Sequence, residues 1–333
     1  MVDIARMAGV SNATVSRALS GSPLIPQETR DRITELARSL NYRVNASAAN
    51  LRKQAVSTVG VVMLGSAERP AQAVADPFIM TMVASLADVL AERGQDMLLA
   101  RCGPDRLQML PDLVRTGRAA GVVVMGQWVA HEALNAMARQ GLPMVVWGAS
   151  VPGTVYPVVG SDNEHGGYLA TRHLLAQGCR RIAYLGRLDQ PESALRHRGY
   201  LRALHEAGVV VSPGLQHPVD FSQPGSQAVV DQWLADQSIP DGVFACSDLV
   251  AMGVVSALAA RGLSVPADVK LVGFDDVALA AHVHPSLTTV RQDMALAART
   301  LVAVLERQVQ GLPDAAQLLP TTLVVRDSSG AAA

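Results

Sequence analysis

The chain has 333 residues, 49% of them hydrophobic and 17% charged, with a formal net charge of −1. That is too long for one small domain and long enough to bury a sizeable core, so two or three packed units are expected. No apolar run reaches bilayer-spanning length, the N-terminus lacks the apolar core of a signal peptide, and Cys102, Cys179 and Cys246 are isolated. Together these exclude a membrane span, a disulfide framework and a cysteine zinc site, and point to a reduced, cytoplasmic setting.

The first twenty residues read as helix, short turn, helix. Ile4, Ala5 and Ala8 fall at helical spacing, Gly9 permits a tight turn, Ser11 is a good N-cap, and Val15 with Leu19 gives a second apolar face. The outward side chains of the second helix are Asn12, Thr14, Ser16 and Arg17, a set suited to phosphates and base edges. An ordinary helical hairpin is the alternative. Pro26 to Arg30 opens a third helix whose apolar positions are Ile33, Leu36, Ala37 and Leu40. Charge is distributed unevenly: up to Lys53 there are eight basic and four acidic residues, a head of +4 on a body of −5. A basic head suits phosphate contact by one module.

Asn45 to Leu51 is small and Ala-rich, too short for a stable helix unless a partner or a DNA groove holds it, and Gln54 to Thr58 reads as a linker. From Val59 the texture changes. Apolar strand runs at Val59–Leu64, Met97–Ala100, Gly121–Met125, Met144–Trp147, Arg181–Leu185, Gly242–Cys246 and Val269–Phe274 alternate with helices. The helical segments are Phe78–Arg93, Glu132–Gln140, Gly166–Gln177, Ser193–Ala207, Leu249–Arg261 and Ala295–Gln310. Strands apolar throughout, alternating with helices, imply parallel sheets covered on both faces, and so many units imply two subdomains with a ligand cleft beyond the strands' carboxyl ends. Ser161-Asp162-Asn163 followed by Gly166-Gly167 reads as a crossover between subdomains that opens a helix. The tail, 328–333, is read as disordered, and it carries no leucine heptad for a tetramerising coiled coil.

An enzyme on a doubly wound fold is disfavoured: no GxGxxG follows a strand, no Walker loop or GxSxG elbow occurs, and His282 and His284 lack a third metal ligand. A transport-type binding protein would have no DNA-binding head.

In order and spacing, several stretches together resemble the LacI/GalR family of ligand-responsive transcriptional repressors. They include Asp3-Ile4-Ala5, Ala8-Gly9-Val10-Ser11, Thr14-Val15-Ser16-Arg17, Leu40-Asn41-Tyr42, Asp76-Pro77-Phe78, Arg198-Gly199-Tyr200, Ser247 to Gly253, Val272 to Asp276, Pro285 to Gln292 and Leu323 to Arg326. The resemblance implies a small all-α helix-turn-helix head (1–44), a hinge helix and linker (45–57), and an α/β core of two parallel-sheet subdomains similar to periplasmic sugar-binding proteins. Those subdomains would be 58–160 with 291–319 and 161–290 with 320–327. It further implies a cytoplasmic homodimer acting on double-stranded, near-palindromic operator DNA, with a small-molecule effector and no cofactor, metal or membrane partner.

On the family pattern, Asn12 and Ala13 begin the recognition helix, Thr14, Ser16 and Arg17 mix phosphate and base contacts, and Asn45, Ala48 and Leu51 belong to a hinge that orders on DNA. Leu51 stands where the family wedges a leucine into the minor groove; packing on the core is its alternative. Met1 stands almost on the first helix, where the family carries a few more residues, and Val44 replaces a common proline. Effector contacts are implied for Arg196, Asp275, Phe221, Gln292, Gln127, Phe78, Ser193 and Trp147, a set of guanidinium, carboxylate, amide and ring faces suited to a polyhydroxylated ring such as a mono- or disaccharide. The alternatives are core packing for Phe221 and Trp147 and a structural ion pair for Arg196 and Asp275. Ser247 stands where many relatives have asparagine. A nucleoside or other non-sugar effector acting as corepressor is the alternative ligand. The segment Gly65 to Ala75 is read either as a cover over the cleft mouth or as a surface insertion.

Overall fold

A computed structural model of the chain describes residues 2–19, 22, 24–40, 56–65, 76–127, 130–219 and 223–330. Asn45, Ala48, Leu51, Phe221 and all but the first residue of the Gly65 to Ala75 segment lie outside the described residues. The chain divides into two units, Met1–Ser57 and Thr58–Ala333.

The first unit carries helices α1 (Val2–Ala8), α2 (Asn12–Leu19) and α3 (Gln27–Ser39). Gly9 takes φ +65°, and the left-handed turn lets Val10 N donate to Ala5 O at 3.0 Å, closing α1. Arg32 reaches from α3 to donate to Ala8 O at 2.8 Å, so the third helix also satisfies the end of the first. Ser11 Oγ accepts from Thr14 N at 3.1 Å and starts α2. Helices of seven and eight residues are not stable alone; these are held by a shared core of Ile4, Ala5, Ala8, Val15, Ala18, Ile25, Ile33 and Ala37. Leu40 does not join that core as the helical spacing suggests: it is the C-cap of α3 and 44% exposed.

The second unit contains two six-stranded sheets. The first comprises β1 (Thr58–Leu64), β2 (Asp96–Cys102), β3 (Gly121–Met125), β4 (Met144–Trp147), β5 (Val158–Ser161) and β11 (Gln317–Leu319), in the order β11-β5-β4-β3-β1-β2. It is parallel throughout. The second comprises β6 (Ile182–Leu185), β7 (Gln216–His217), β8 (Gly242–Ala245), β9 (Lys270–Asp275), β10 (Thr288–Gln292) and β12 (Thr321–Val324), in the order β12-β10-β9-β8-β6-β7. Among the described residues its β10–β12 pair is antiparallel and its other pairs are parallel.

Central strands such as β3, β4, β6 and β8 are buried at every position, which is why they read as unbroken apolar runs. Their covering helices are α4 (Pro77–Glu92), α5 (Met109–Arg115), α6 (His131–Arg139), α7 (Asn163–Ala176), α8 (Pro191–Glu206), α9 (Gln223–Ala235), α10 (Asp248–Ala259) and α11 (Met294–Val309).

The chain passes between the sheets at Asp162, Asp293 and Pro320. The two aspartates are N-caps, accepting from His165 N and Leu296 N at 2.9 Å, so each crossover opens directly into a helix. Ser161 ends β5 in the first sheet, while Arg291 and Gln292 end β10 in the second.

The reading of 328–333 as a disordered tail is corrected for its described part. Asp327–Ser329 forms a 3-10 turn whose Ser328 and Ser329 are fully buried. Ser328 Oγ donates to Leu271 O at 2.7 Å and accepts from Thr288 N at 2.8 Å, and Ser329 Oγ lies 2.7 Å from both His173 Nε2 and Thr288 Oγ1. Small polar residues have little apolar surface to bury, but here they satisfy backbone and side-chain groups of other elements. No helix among the described residues is long and apolar enough to cross a membrane.

Candidate ligand cleft and DNA-facing helix

On α2, Val15 and Ala18 turn into the core, leaving Asn12, Ala13 and Arg17 exposed and Thr14 and Ser16 half-buried. The Thr14 hydroxyl lies 2.9 Å from Ser11 Oγ, so part of its hydrogen-bonding capacity holds the helix start. The exposed face is short, polar and carries one guanidinium.

In the core, α7 and α8 cross so closely that a Cβ on Gly167 would stand 2.0 Å from Arg196 O, and one on Gly199 2.0 Å from Glu164 O. Any other residue at either position separates the helices. That approach sets Arg196 on α8 beneath the carboxyl ends of the second sheet. Its Nε donates to Asn163 Oδ1 at 2.8 Å, its Nη1 donates to Cys246 O, and its guanidinium lies 3.7 Å from the centroid of the Phe274 ring. Asp275 Oδ1 is 3.9 Å from Arg196 Nη1 and accepts from Gln292 Nε2 at 2.7 Å. Arg196, Asp275 and Gln292 thus form one buried polar group.

Burial pushes the Asp275 carboxyl well above the usual carboxylate range, against the pull of Arg196 and with a further push from Asp248 and Asp76. Asp275 and Asp276 hold φ of 121° and 55°, a conformation that non-glycine residues rarely adopt and that packing must impose. The clamps are visible. Asp276 pairs with Arg291 Nε and Arg326 Nη2, both at 2.6 Å, and the fully buried Asp248 accepts from Thr289 Oγ1 at 2.5 Å and Val277 N at 2.9 Å. Burial lifts the Asp248 carboxyl to about 7.

The opposite wall comes from the first sheet's half. Asp76 caps α4, accepting from Phe78 N at 2.9 Å, and Phe78 faces the buried Trp147 with ring centroids 6.3 Å apart and planes tilted by 39°. A narrow cavity is lined by Asp76 and Pro77 from this half and by Ser247, Leu249, Met252, Asp275 and Val277 from the other. A wider one, about 310 Å³, lies among Phe78, Thr81, Asp275, Arg291 and Gln292. The cleft between the halves, at the carboxyl ends of the strands, is where doubly wound folds bind ligands.

Of the residues singled out in the sequence, Phe78, Trp147, Arg196, Asp275 and Gln292 are gathered here. Gln127 is buried with both ends of its amide bonded to Ala149: Nε2 donates to the carbonyl at 2.7 Å and Oε1 accepts from the amide at 3.0 Å. It braces the loop after β4. The hydroxyl of Ser193 lies 2.8 Å from Tyr184 Oη, which donates to Ser193 O, so this side chain turns toward β6.

Asn163, Asp248 and Glu192 were not singled out. Asn163 ends the crossover triplet and Asp248 lies inside a quoted motif. Glu192 stands four residues before Arg196, the spacing that puts two side chains on one helix face. Among the described residues no group of three His, Cys, Asp or Glu is placed to hold a metal ion.

Residues 1–45 match the family model of bacterial regulatory proteins of the lacI family, and residues 171–329 match that of the periplasmic binding protein-like domain. The HTH-type transcriptional regulator GalR of Salmonella typhimurium (strain SL1344) is 33% identical, covering 98% of this chain and 94% of its own length. The HTH-type transcriptional repressor PurR of Histophilus somni (strain 129Pt) is 27% identical over 87% of this chain and 86% of its own. Among solved structures, a lac repressor dimer bound to operator and the anti-inducer ONPF superposes with a TM-score of 0.86 at 26% identity, covering 99% of this chain and 98% of that one. A complex of the transcriptional regulator CelR with cellobiose gives 0.73 at 29% identity, covering 98% of each chain. With a helical head, a two-sheet core and these relatives, the chain belongs to the LacI/GalR family of DNA-binding transcriptional regulators.

Proposed function

We propose that this chain is a cytoplasmic repressor, acting as a homodimer on operator DNA, whose operator affinity is set by a small polyhydroxylated molecule bound between the two sheets. Asn12, Ala13, Thr14, Ser16 and Arg17 read the DNA, with Asn45, Ala48 and Leu51 following as the hinge. A dimer places two heads on half-sites related by two-fold symmetry, since one head makes too few contacts to be specific.

The observation that carries the ligand reading is the Arg196–Asp275–Gln292 group, whose guanidinium is fixed by Asn163, Cys246 and Phe274 before any ligand arrives. A hydroxyl-rich ring needs donors and acceptors already oriented in a dry site, because each unpaired group it buries costs affinity. Closure of the halves on such a ligand changes which arrangement of the core is favoured. Moving a population from 1:99 to 99:1 takes roughly 5.5 kcal/mol of differential binding, which two sites in a dimer can share. No cofactor or metal is required for such a switch.

A planar base or nucleoside, acting as corepressor, is the second reading, favoured by the Phe78–Trp147 pair on one wall. A thermal-shift screen of mono- and disaccharides, nucleobases and nucleosides tests both, because a ligand that binds only the folded state raises the melting temperature with the logarithm of its concentration. A hit that shifts DNA binding in a gel-retardation assay supports the reading; hits confined to molecules without effect on DNA binding contradict it.

A further inference from the structure

One of the contacts that fix Arg196 continues across the boundary between the halves. Asn163, 2% exposed, is the first residue of α7, two positions after β5 ends at Ser161 in the first sheet. Its Oδ1 accepts from Arg196 Nε at 2.8 Å, and its Nδ2 donates to Ser161 O at 3.0 Å. The two ends of one amide thus hold the cleft guanidinium and the last residue of a first-sheet strand, on either side of the crossover at Asp162.

Asn163 is fixed to the second half. Beside it, a Cβ on Gly166 would stand 2.6 Å from the Phe274 ring, whose face carries Arg196, and Gly167 and Gly199 hold α7 against α8. Ser161 is fixed to the first half, in register with Leu319 of β11. A change in the angle between the halves is therefore taken up at Asp162 and the other crossovers. Asp162 is also stitched to the crossover at Pro320: its N–H donates to Leu319 O at 2.8 Å and its carbonyl accepts from Thr321 Oγ1 at 3.2 Å. These two crossovers move together, and Asn163 joins them to the guanidinium.

We propose that Asn163 is the positioning residue that transmits ligand binding at Arg196 to the crossovers, and so to the angle between the halves. The inference rests on the reading of the cleft as the effector site. Among the described residues Arg196 Nη2 makes no hydrogen bond, which leaves it for a ligand. The guanidinium is a rigid plane, so a ligand that engages Nη2 and turns it also moves Nε. The Asn163 amide keeps both partners only while Arg196 and Ser161 hold their present separation. Its bond from the charged donor is roughly twice as strong as a neutral one, so the amide follows the guanidinium and the bond to Ser161 O yields.

The test uses the full chain and two variants. Asn163→Asp keeps an acceptor for Arg196 and loses the donor to Ser161 O; Asn163→Ala loses both. Glucose, galactose, ribose, maltose, cellobiose, adenine and guanosine are titrated by calorimetry. Operator affinity is then measured without and with a saturating concentration of the tightest-binding compound, on DNA selected from a random pool by the wild type. The wild type is expected to respond at least tenfold and both variants less than threefold, although Asn163→Asp still binds the compound. Saturation removes differences in ligand affinity, so a residue that merely props Arg196 leaves the tenfold response in place, and that result overturns the proposal. Hydrogen exchange supplies a readout without ligand. Exchange of the Asp162 N–H is expected to quicken at least tenfold in both variants while the amides of Tyr200 to Leu204 in α8 keep their rates. An unchanged Asp162 rate, an equal acceleration in α8, or loss of the fold in both variants shows a structural role and overturns the proposal. Failure of every compound to bind the wild type, or binding that leaves its DNA affinity unchanged, overturns the effector-site reading and the proposal with it; a full response in the variants overturns the proposal alone.

Discussion

Replacing Arg196 by alanine removes the residue on which the cleft is built. The variant loses two hydrogen bonds from a charged donor, to Asn163 Oδ1 and Cys246 O, each worth about 1.5–3 kcal/mol. It also loses the contact with the Phe274 face, worth ~0.5–2 kcal/mol. Against this stands the relief of no longer burying a guanidinium, which is several kcal/mol in its own right. The net follows the pattern of a buried charged group removed from its partners, about 3–5 kcal/mol of destabilisation, because Asn163 and the Cys246 carbonyl are left as buried acceptors without a donor. For a core of this size that lowers the melting temperature by on the order of 10 °C. Arg196→Lys keeps the charge but not the planar fork, so it falls between wild type and alanine in stability while losing ligand binding as fully as alanine does. Thermal melts followed by circular dichroism, with ligand calorimetry on the same samples, measure both. A melting temperature for Arg196→Ala within about 2 °C of wild type would refute the claim that the guanidinium is a fixed, preorganised part of the cleft.

Other expectations follow from the same contacts. Asp248, lifted to about 7 from the ordinary 3.8, holds its proton more tightly folded than unfolded. Its contribution is therefore fully present below about pH 4 and is lost as pH rises through 7, at up to about 1.4 kcal/mol per pH unit; denaturant titrations across pH 4–8 should show this decline, with a shallower one in Asp248→Asn. Ser328→Ala leaves Thr288 N–H and Leu271 O without their partner and should cost ~1–3 kcal/mol, read from the denaturation midpoint; an unchanged midpoint would mean that the C-terminal turn is dispensable. Arg17→Ala should weaken operator binding by about 1–3 kcal/mol in fluorescence anisotropy and leave ligand affinity alone, whereas equal loss of both would contradict the division of labour between head and core.

The central strands were legible because burial on both faces forces an apolar residue at every position: Gly121–Met125 and Met144–Trp147 begin and end where the apolar runs do. The edge strand β2 was read in part, as Met97–Ala100 within Asp96–Cys102, whereas β5, β7, β10, β11 and β12 were not read as strands. Strands β10 and β12 are threonine-rich, and Thr288 and Thr289 become strand residues through partners forty residues away, Ser328, Ser329 and Asp248, which no local pattern contains. Helices α5 and α9 begin beside Pro111 and Pro224, which read locally as breaks. The same limit applies to the cleft. Residue type and motif position brought Arg196, Asp275, Gln292, Phe78 and Trp147 together. Hydrogen-bond direction decided the rest, turning Gln127 to the Ala149 backbone and Ser193 to Tyr184.

The most direct test of the account is operator affinity measured with and without saturating ligand, in wild type and in Asp275→Asn, on DNA selected from a random pool by the full chain. Coupling between cleft and head predicts at least a tenfold ligand-dependent change in the wild type and, in the variant, unchanged basal affinity with no response to ligand. An equal response in both proteins, or none in the wild type, would contradict control of DNA binding through the cleft.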